Sequence, residues 1–193
     1  MENAQIIKCA SAHFGEDIII YFKRVFKASA GDELDIKIFA DARYKLYVNG
    51  RFIGCGPAKA NDKERFYDRR SLGEYLTDGE NEIFVSVLCL APAEKLPKHR
   101  FITSLKRSGE GVLLISGTLG KEKFVTDEQW ECAAENGVSF ITPEYAYYTG
   151  IPEHINSHEY KNVVWERAVI AQSSERWMFC GEPSFWQCKE SKI

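Results

Sequence analysis

Five residues in one polar stretch have the types that a carbohydrate site needs: Asn61, Asp62, Tyr67, Asp68 and Arg69. A pyranose offers an apolar ring face and a rim of hydroxyls. A protein answers with an aromatic platform and a few planar hydrogen-bonding side chains. Tyr67 would be the platform, and the amide, carboxylates and guanidinium beside it would read the hydroxyls. Arg43, Tyr44 and Trp130 form a second set. Each has a plainer reading: Tyr44 and Trp130 suit a core, and Arg43 and Arg69 suit a solvated face. Asn61, Asp62 and Asp68 are also oxygen donors of the kind calcium takes. Their spacing is not that of an EF-hand loop, and no motif demands any cofactor.

Catalytic patterns are weaker. Cleaving a glycoside with inversion takes two carboxyl groups about 6.5–9.5 Å apart. The pairs worth considering are Asp127/Glu128 and Glu144/Glu153. The first suits the positive end of a short helical turn, and the second lies in a loop of solvated acids. Four histidines are present: His13, His99, His154 and His158. The last two stand four apart, but Pro152, Asn156 and Ser157 oppose the helix that a metal pair at that spacing requires. There is no Gly-x-Ser-x-Gly elbow and no phosphate-binding Gly-rich loop. The six cysteines (Cys9, Cys55, Cys89, Cys132, Cys180 and Cys188) contain no Cys-x-x-Cys pair and no zinc spacing. They read as small buried hydrophobes. No catalytic residue and no metal ligand is assigned within this chain.

The chain has 193 residues, with 25 basic and 28 acidic side chains and a net charge of −3. That balance argues against a nucleic-acid partner. The basic stretch Lys95-Leu96-Pro97-Lys98-His99-Arg100 reads as a solvated loop. A hydrophobic share of 45% excludes full disorder, and no apolar run is long enough to span a membrane. The first residues, Met1-Glu2-Asn3-Ala4-Gln5, lack the basic and apolar regions of a signal peptide. With unpaired cysteines, this predicts a cytoplasmic protein with reduced thiols.

The candidate residues must be held by strands. Leu34, Ile36, Ile38 and Ala40 alternate on one face, with Phe39 on the other. Tyr44, Leu46 and Val48 alternate up to Asn49-Gly50, a strong signal for a type I′ hairpin. Ile83, Val85 and Val87 form another alternating strand after the Asp78-Gly79 turn. Asn136-Gly137 predicts a second hairpin. Ser71-Leu72-Gly73-Glu74 and Thr126-Asp127-Glu128-Gln129 match the capping-box pattern and predict one or two short helical turns. Trp177, Phe179, Phe185 and Trp186 in the tail show no period and would suit docking on another domain. Many short strands between turn signals indicate an all-β, antiparallel sandwich or barrel.

The block Ala42-Arg43-Tyr44-Lys45-Leu46-Tyr47-Val48-Asn49-Gly50-Arg51-Phe52-Ile53-Gly54-Cys55-Gly56-Pro57-Ala58 resembles the N-terminal β-sandwich of bacterial α-L-rhamnosidases. The resemblance runs on through Phe66-Tyr67-Asp68, Gly79-Glu80-Asn81, Thr126-Asp127-Glu128-Gln129-Trp130 and Glu153-His154-Ile155-Asn156. It is loose over residues 20–170 and tight over 42–87. Lys59-Ala60-Asn61-Asp62 departs from the Arg-Gly-Asp-like stretch common in relatives. The resemblance implies a jelly-roll, galactose-binding-domain-like sandwich over 18–171. Residues 1–17 would be an N-terminal extension, and 172–193 a tail or a lead into a further domain. In such glycoside hydrolases the acid and base sit in a helical barrel, for which this chain is too short. The implied role is therefore a non-catalytic accessory domain. Its partner would be a rhamnose-containing glycan or the catalytic domain of the same polypeptide. The alternative is a structural or protein-interaction sandwich that binds no sugar. Fold alone does not choose between them.

Overall fold

The computed structural model describes residues 4–12, 17–58, 64–91, 110–140, 153–171 and 178–181. The strands are β1 (Ile7–Lys8), β2 (Ile18–Ala28), β3 (Leu34–Ala40), β4 (Arg43–Val48), β5 (Arg51–Gly56), β6 (Glu64–Phe66), β7 (Asp68–Ser71) and β8 (Gly79–Cys89). They continue with β9 (Leu113–Leu119), β10 (Glu122–Val125), β11 (Glu131–Glu135), β12 (Val138–Phe140), β13 (Glu153–Ile155), β14 (Glu166–Arg167), β15 (Val169–Ile170) and β16 (Met178–Cys180). Two six-stranded sheets face each other. One has the order β15-β1-β9-β3-β7, with β10 also paired to β9; the other has the order β14-β11-β2-β8-β4-β5. Pairing within both sheets is antiparallel. The chain passes from sheet to sheet at β2→β3→β4, β5→β7→β8 and β8→β9. This is the wiring of a jelly-roll sandwich.

Period-2 patterning places the core. Every second residue of β8 from Asn81 to Cys89 is buried, as are Leu34, Ile36, Ile38 and Ala40 of β3. Tyr44, Leu46 and Val48 of β4 meet them from the other sheet, and Trp130 is the largest wholly buried side chain among the described residues. Phe39 faces the other way, as its position in the alternation predicts. It seeds a second, smaller cluster on the outside of the first sheet with Tyr67, Val112, Leu114 and Ala171. Phe179 of β16 packs on Phe39 with ring centroids 5.2 Å apart. β16 pairs in parallel with β6. Phe179 therefore docks on its own sandwich, while Trp177, Phe185 and Trp186 lie outside the described residues.

The first Asn-Gly forms the expected hairpin: Asn49 has φ 49°, Gly50 has φ 74°, and Val48 pairs with Arg51. Asn49 does more than turn the chain. Its Nδ2 donates to the Tyr75 carbonyl (2.9 Å) and to Asn81 Oδ1 (2.8 Å), and its Oδ1 accepts from Glu82 N (2.9 Å). Asn81 is 2% exposed. Its Oδ1 also accepts from Thr77 N (2.8 Å), while its Nδ2 donates to the carbonyls of Thr77 (2.8 Å) and Gly79 (3.1 Å). The two motifs form one polar clasp at the end of the sandwich.

Three expectations need correction, and a fourth, the short helical turn after Ser71, is met without its cap. The boundary after residue 17 is not observed: β1 pairs with β15 and β9, and Ile7 and Cys9 are fully buried in the main core. Asn136-Gly137 does not form a hairpin, because β11 pairs with β2 and β14 while β12 pairs with β13. Gly137 instead accommodates the turn at 157–160. A Cβ there would come within 2.4 Å of Tyr160 N, and the Gly137 carbonyl accepts from Asn156 N at 2.8 Å. At the first capping-box pattern Ser71 belongs to β7 and donates to Asp35 Oδ1. The short 3₁₀ turn Gly73–Tyr75 follows without a side-chain cap. At the second there is a turn and no helix. Thr126 donates to the Gln5 carbonyl (2.6 Å) and accepts from Ile115 N (3.1 Å), and Asp127 Oδ1 caps the turn by accepting from Gln129 N (2.9 Å).

Candidate functional site

Strand alternation scatters the predicted site residues. Tyr67 and Arg69 lie on the outer face of the first sheet, and Asp68 between them points inward. Asp68 is 5% exposed. Its Oδ2 accepts the Tyr44 hydroxyl and faces Arg70 Nη2 at 3.4 Å. Because Tyr44 comes from β4 and Asp68 from β7, this contact ties the two sheets together inside the sandwich. Burial, reinforced by the Asp68 carboxylate, raises the Tyr44 hydroxyl far above its ordinary pKa. Gly56 is needed here, since a Cβ would overlap Asp68 Oδ2. Arg43 is exposed on β4 next to inward-facing Tyr44, and so lies on the outside of the opposite sheet. Trp130 has no exposed surface. Its Nε1 donates to the Val125 carbonyl (3.0 Å), and its ring meets Phe124 edge-on. Trp130 is corrected from sugar contact to core, because an unexposed ring cannot stack on a ligand. Asn61 and Asp62 lie outside the described residues. Of the proposed calcium donors only Asp68 is described, and its Oδ2 is engaged as stated.

What remains is a groove of about 820 Å³ on the outer face of the first sheet, crossing β7, β3, β9 and β10. Register builds it from cross-strand rows. Ser71, Asp35, Thr118 and Lys123 lie abreast, as do Arg69, Lys37, Ser116 and Val125. The next row contains the buried Phe39–Leu114 pair, with Tyr67 beside it. Lys37 and Arg69 hold their charges over the Tyr67 ring, 5.5 and 5.8 Å from its centroid. Tyr67 is 9% exposed. Its ring is thus largely occupied by its own neighbours. Gly117 lets β9 run close against β3, because a Cβ there would collide with the Asp35 carbonyl. The groove offers hydroxyls, one carboxylate and cationic side chains, suited to a polyhydroxylated or anionic ligand. Sequence reasoning found Tyr67 and Arg69. It missed Asp35, Lys37, Ser116 and Lys123, whose only signal was that they sit opposite apolar neighbours in amphipathic strands.

Of the acids weighed for catalysis, Asp127 has a structural role and Glu153 is exposed on a strand. Asp127 pairs with Arg24 (3.7 Å) and caps its turn. Glu144 lies outside the described residues, and Glu153 is exposed on β13. His154 is on β13 and His158 is in the following turn, so no helix aligns them. No helix among the described residues is long and apolar enough to cross a membrane.

No protein-family model and no curated sequence matches the chain. Solved structures do. A GH78 family rhamnosidase of Bacillus sp. GL1 matches 93% of this chain with 25% identity and a TM-score of 0.71. The α-L-rhamnosidase from Dictyoglumus thermophilum matches 93% with 16% identity and a TM-score of 0.61, and that from Aspergillus terreus 89% with 16% identity and 0.59. The chain spans only about a fifth of each: 20%, 22% and 21% of their lengths. The resemblance read from the sequence is thus matched in three dimensions over nearly the whole chain.

Proposed function

We propose that this chain is a non-catalytic accessory β-sandwich of an α-L-rhamnosidase-like glycoside hydrolase, and that its outer-face groove contacts a rhamnose-containing glycan. The observation that carries the reading is the fit of 93% of the chain within one fifth of a rhamnosidase. In this role the acid and base come from elsewhere in the polypeptide. The groove supplies recognition: Lys37, Arg69 and Lys123 as donors, Ser116 and Thr118 hydroxyls as donors and acceptors, Asp35 as an acceptor. Without a free aromatic face, affinity rests on hydrogen bonds that largely replace water, so a single sugar would bind weakly.

A second reading, a sandwich that supports a neighbouring domain and binds no sugar, is favoured by one specific observation. The Tyr67 ring, the expected platform, is covered by the cations of Lys37 and Arg69. Amide chemical shifts recorded while L-rhamnose and rhamnose-containing oligosaccharides are added distinguish the two. Glycan contact moves resonances of β3, β7, β9 and β10, and Lys37→Ala reduces those shifts. Unmoved spectra at millimolar ligand would leave the supporting role. Turnover of an aryl rhamnoside by this chain alone would overturn its non-catalytic assignment.

A further inference from the structure

Cysteines that look scattered along the sequence are gathered with a carboxylate at one edge of the sandwich. Cys132 of β11 is paired directly with Glu166 of β14, so their side chains share a face. Cys9 follows β1 in the opposite sheet and brings its thiol to them across the core. One ligand atom each from Cys9, Cys132 and Glu166 lies within 4.8 Å of the others. The Cys9 thiol donates to Glu166 Oε1 at 3.2 Å, although the two residues are 157 apart in sequence. Both cysteines are fully buried, whereas Glu166 is partly exposed. The carboxylate is held from behind by Ser11 N at 2.8 Å, and the Ser11 hydroxyl is 3.4 Å from Cys9 Sγ.

From this triangle we infer a binding site for a thiophilic divalent metal, zinc above all, held by Cys9 Sγ, Cys132 Sγ and a Glu166 oxygen. Zinc binds thiolate at about 2.3 Å and carboxylate at about 2.0 Å in a tetrahedron, which sets neighbouring ligand atoms roughly 3.5 Å apart. The observed 3.2 Å separation of Cys9 Sγ from Glu166 Oε1 is close to such an edge. The Ser11 amide plays the orienting part that outer hydrogen bonds play at metal sites. The partly exposed Glu166 marks the way in, and solvent or the Ser11 hydroxyl completes the fourth position. Metal entry displaces the two thiol protons: one Zn²⁺ and two thiols give two zinc–sulfur bonds and two protons released to solvent, with the carboxylate already ionised. Because Cys9 comes from one sheet and Cys132 and Glu166 from the other, the ion would clamp the sandwich where the short β1 strand holds the N-terminal segment.

The test uses the full chain, reduced and freed of metal by chelation, then titrated with Co²⁺ and with Zn²⁺. The expected result is one cobalt equivalent with a thiolate-to-cobalt charge-transfer band and intense tetrahedral d–d bands, both erased by Zn²⁺. Zn²⁺ should also raise the thermal midpoint. Cys132→Ser should abolish the charge-transfer band and the thermal shift. Glu166→Gln keeps both thiols and should weaken cobalt affinity at least tenfold, which preserves the test if Cys132→Ser does not fold. Cys55→Ser removes an exposed thiol on β5 and should change neither. Cobalt uptake without the charge-transfer band, uptake that survives Cys132→Ser, or none in the folded wild-type chain would overturn the site. So would a Cys9–Cys132 disulfide in protein isolated without reductant that takes up no metal after reduction.

Discussion

Removing the side chain of Asn81 should unfasten the segment at 77–81 from the tip of the β4–β5 hairpin, and its cost follows from the geometry. Asn81→Ala deletes four short hydrogen bonds, two accepted, from Thr77 N and Asn49 Nδ2, and two donated, to the Thr77 and Gly79 carbonyls, besides a longer one accepted from the Thr77 hydroxyl at 3.4 Å. At about 1 kcal/mol net for each short bond, the sum is about 4 kcal/mol. Thr77 and Gly79 are exposed, so water replaces part of the loss. We therefore expect about 2–3 kcal/mol of destabilisation. For a domain of this length that lowers the thermal midpoint by about 5–10 °C. Asn81→Asp keeps the accepting oxygen but sets a carboxylate against two carbonyls, and should cost at least as much. Asn49→Gly preserves the positive φ of the turn while removing the side chain that reaches Asn81. The double variant should then show a coupling of about 1 kcal/mol in a thermodynamic cycle. Urea or calorimetric unfolding of the four proteins measures it. An Asn81→Ala loss below about 0.5 kcal/mol, or strict additivity with Asn49→Gly, would refute the clasp.

Trp130→Ala should cost about 3–5 kcal/mol and drive much of the chain into aggregates, because it empties the centre of the core. A folded, equally stable Trp130→Ala protein with altered sugar response would restore Trp130 as a ligand contact. Alkali should unfold the sandwich through Tyr21 and Tyr44, both raised mainly by burial and then by the carboxylates of Glu135 and Asp68. A raised folded pKa leaves stability intact below the ordinary tyrosine value near 10. Above it the unfolded chain loses protons that the folded chain keeps, and stability falls by roughly 1.4 kcal/mol per pH unit for each group. Tyr21→Phe and Tyr44→Phe should each remove one such slope from urea unfolding measured above pH 10, and an unchanged slope would show that the hydroxyl titrates normally.

The sequence alone determined the long alternating strands β3, β4 and β8 and the face each one buries. Alternation in β3, β4 and β8 is a local property, and Asn49-Gly50 has a geometry set by its own two residues. The placement of Phe39 opposite Ile36 and Ile38 likewise followed from period 2, although its covering by Phe179 did not. Tertiary structure decided whatever depends on which strands meet. The same Asn-Gly pair that turns the chain at 49–50 fails to do so at 136–137, because the segment at 157–160 packs onto Gly137. Tyr67, Asp68 and Arg69 are neighbours in sequence, yet pleating sends the middle one into the core and leaves the other two on the outer side of the sheet, Tyr67 under cover and Arg69 exposed. Lys37 and Lys123 enter the groove only through register. Cys9, Cys132 and Glu166 carry no common spacing, since what unites them is the facing of two sheets. Local patterns encode which way a side chain points. The company it keeps across a sandwich is set by pairings between distant strands, and so only the folded chain reveals it.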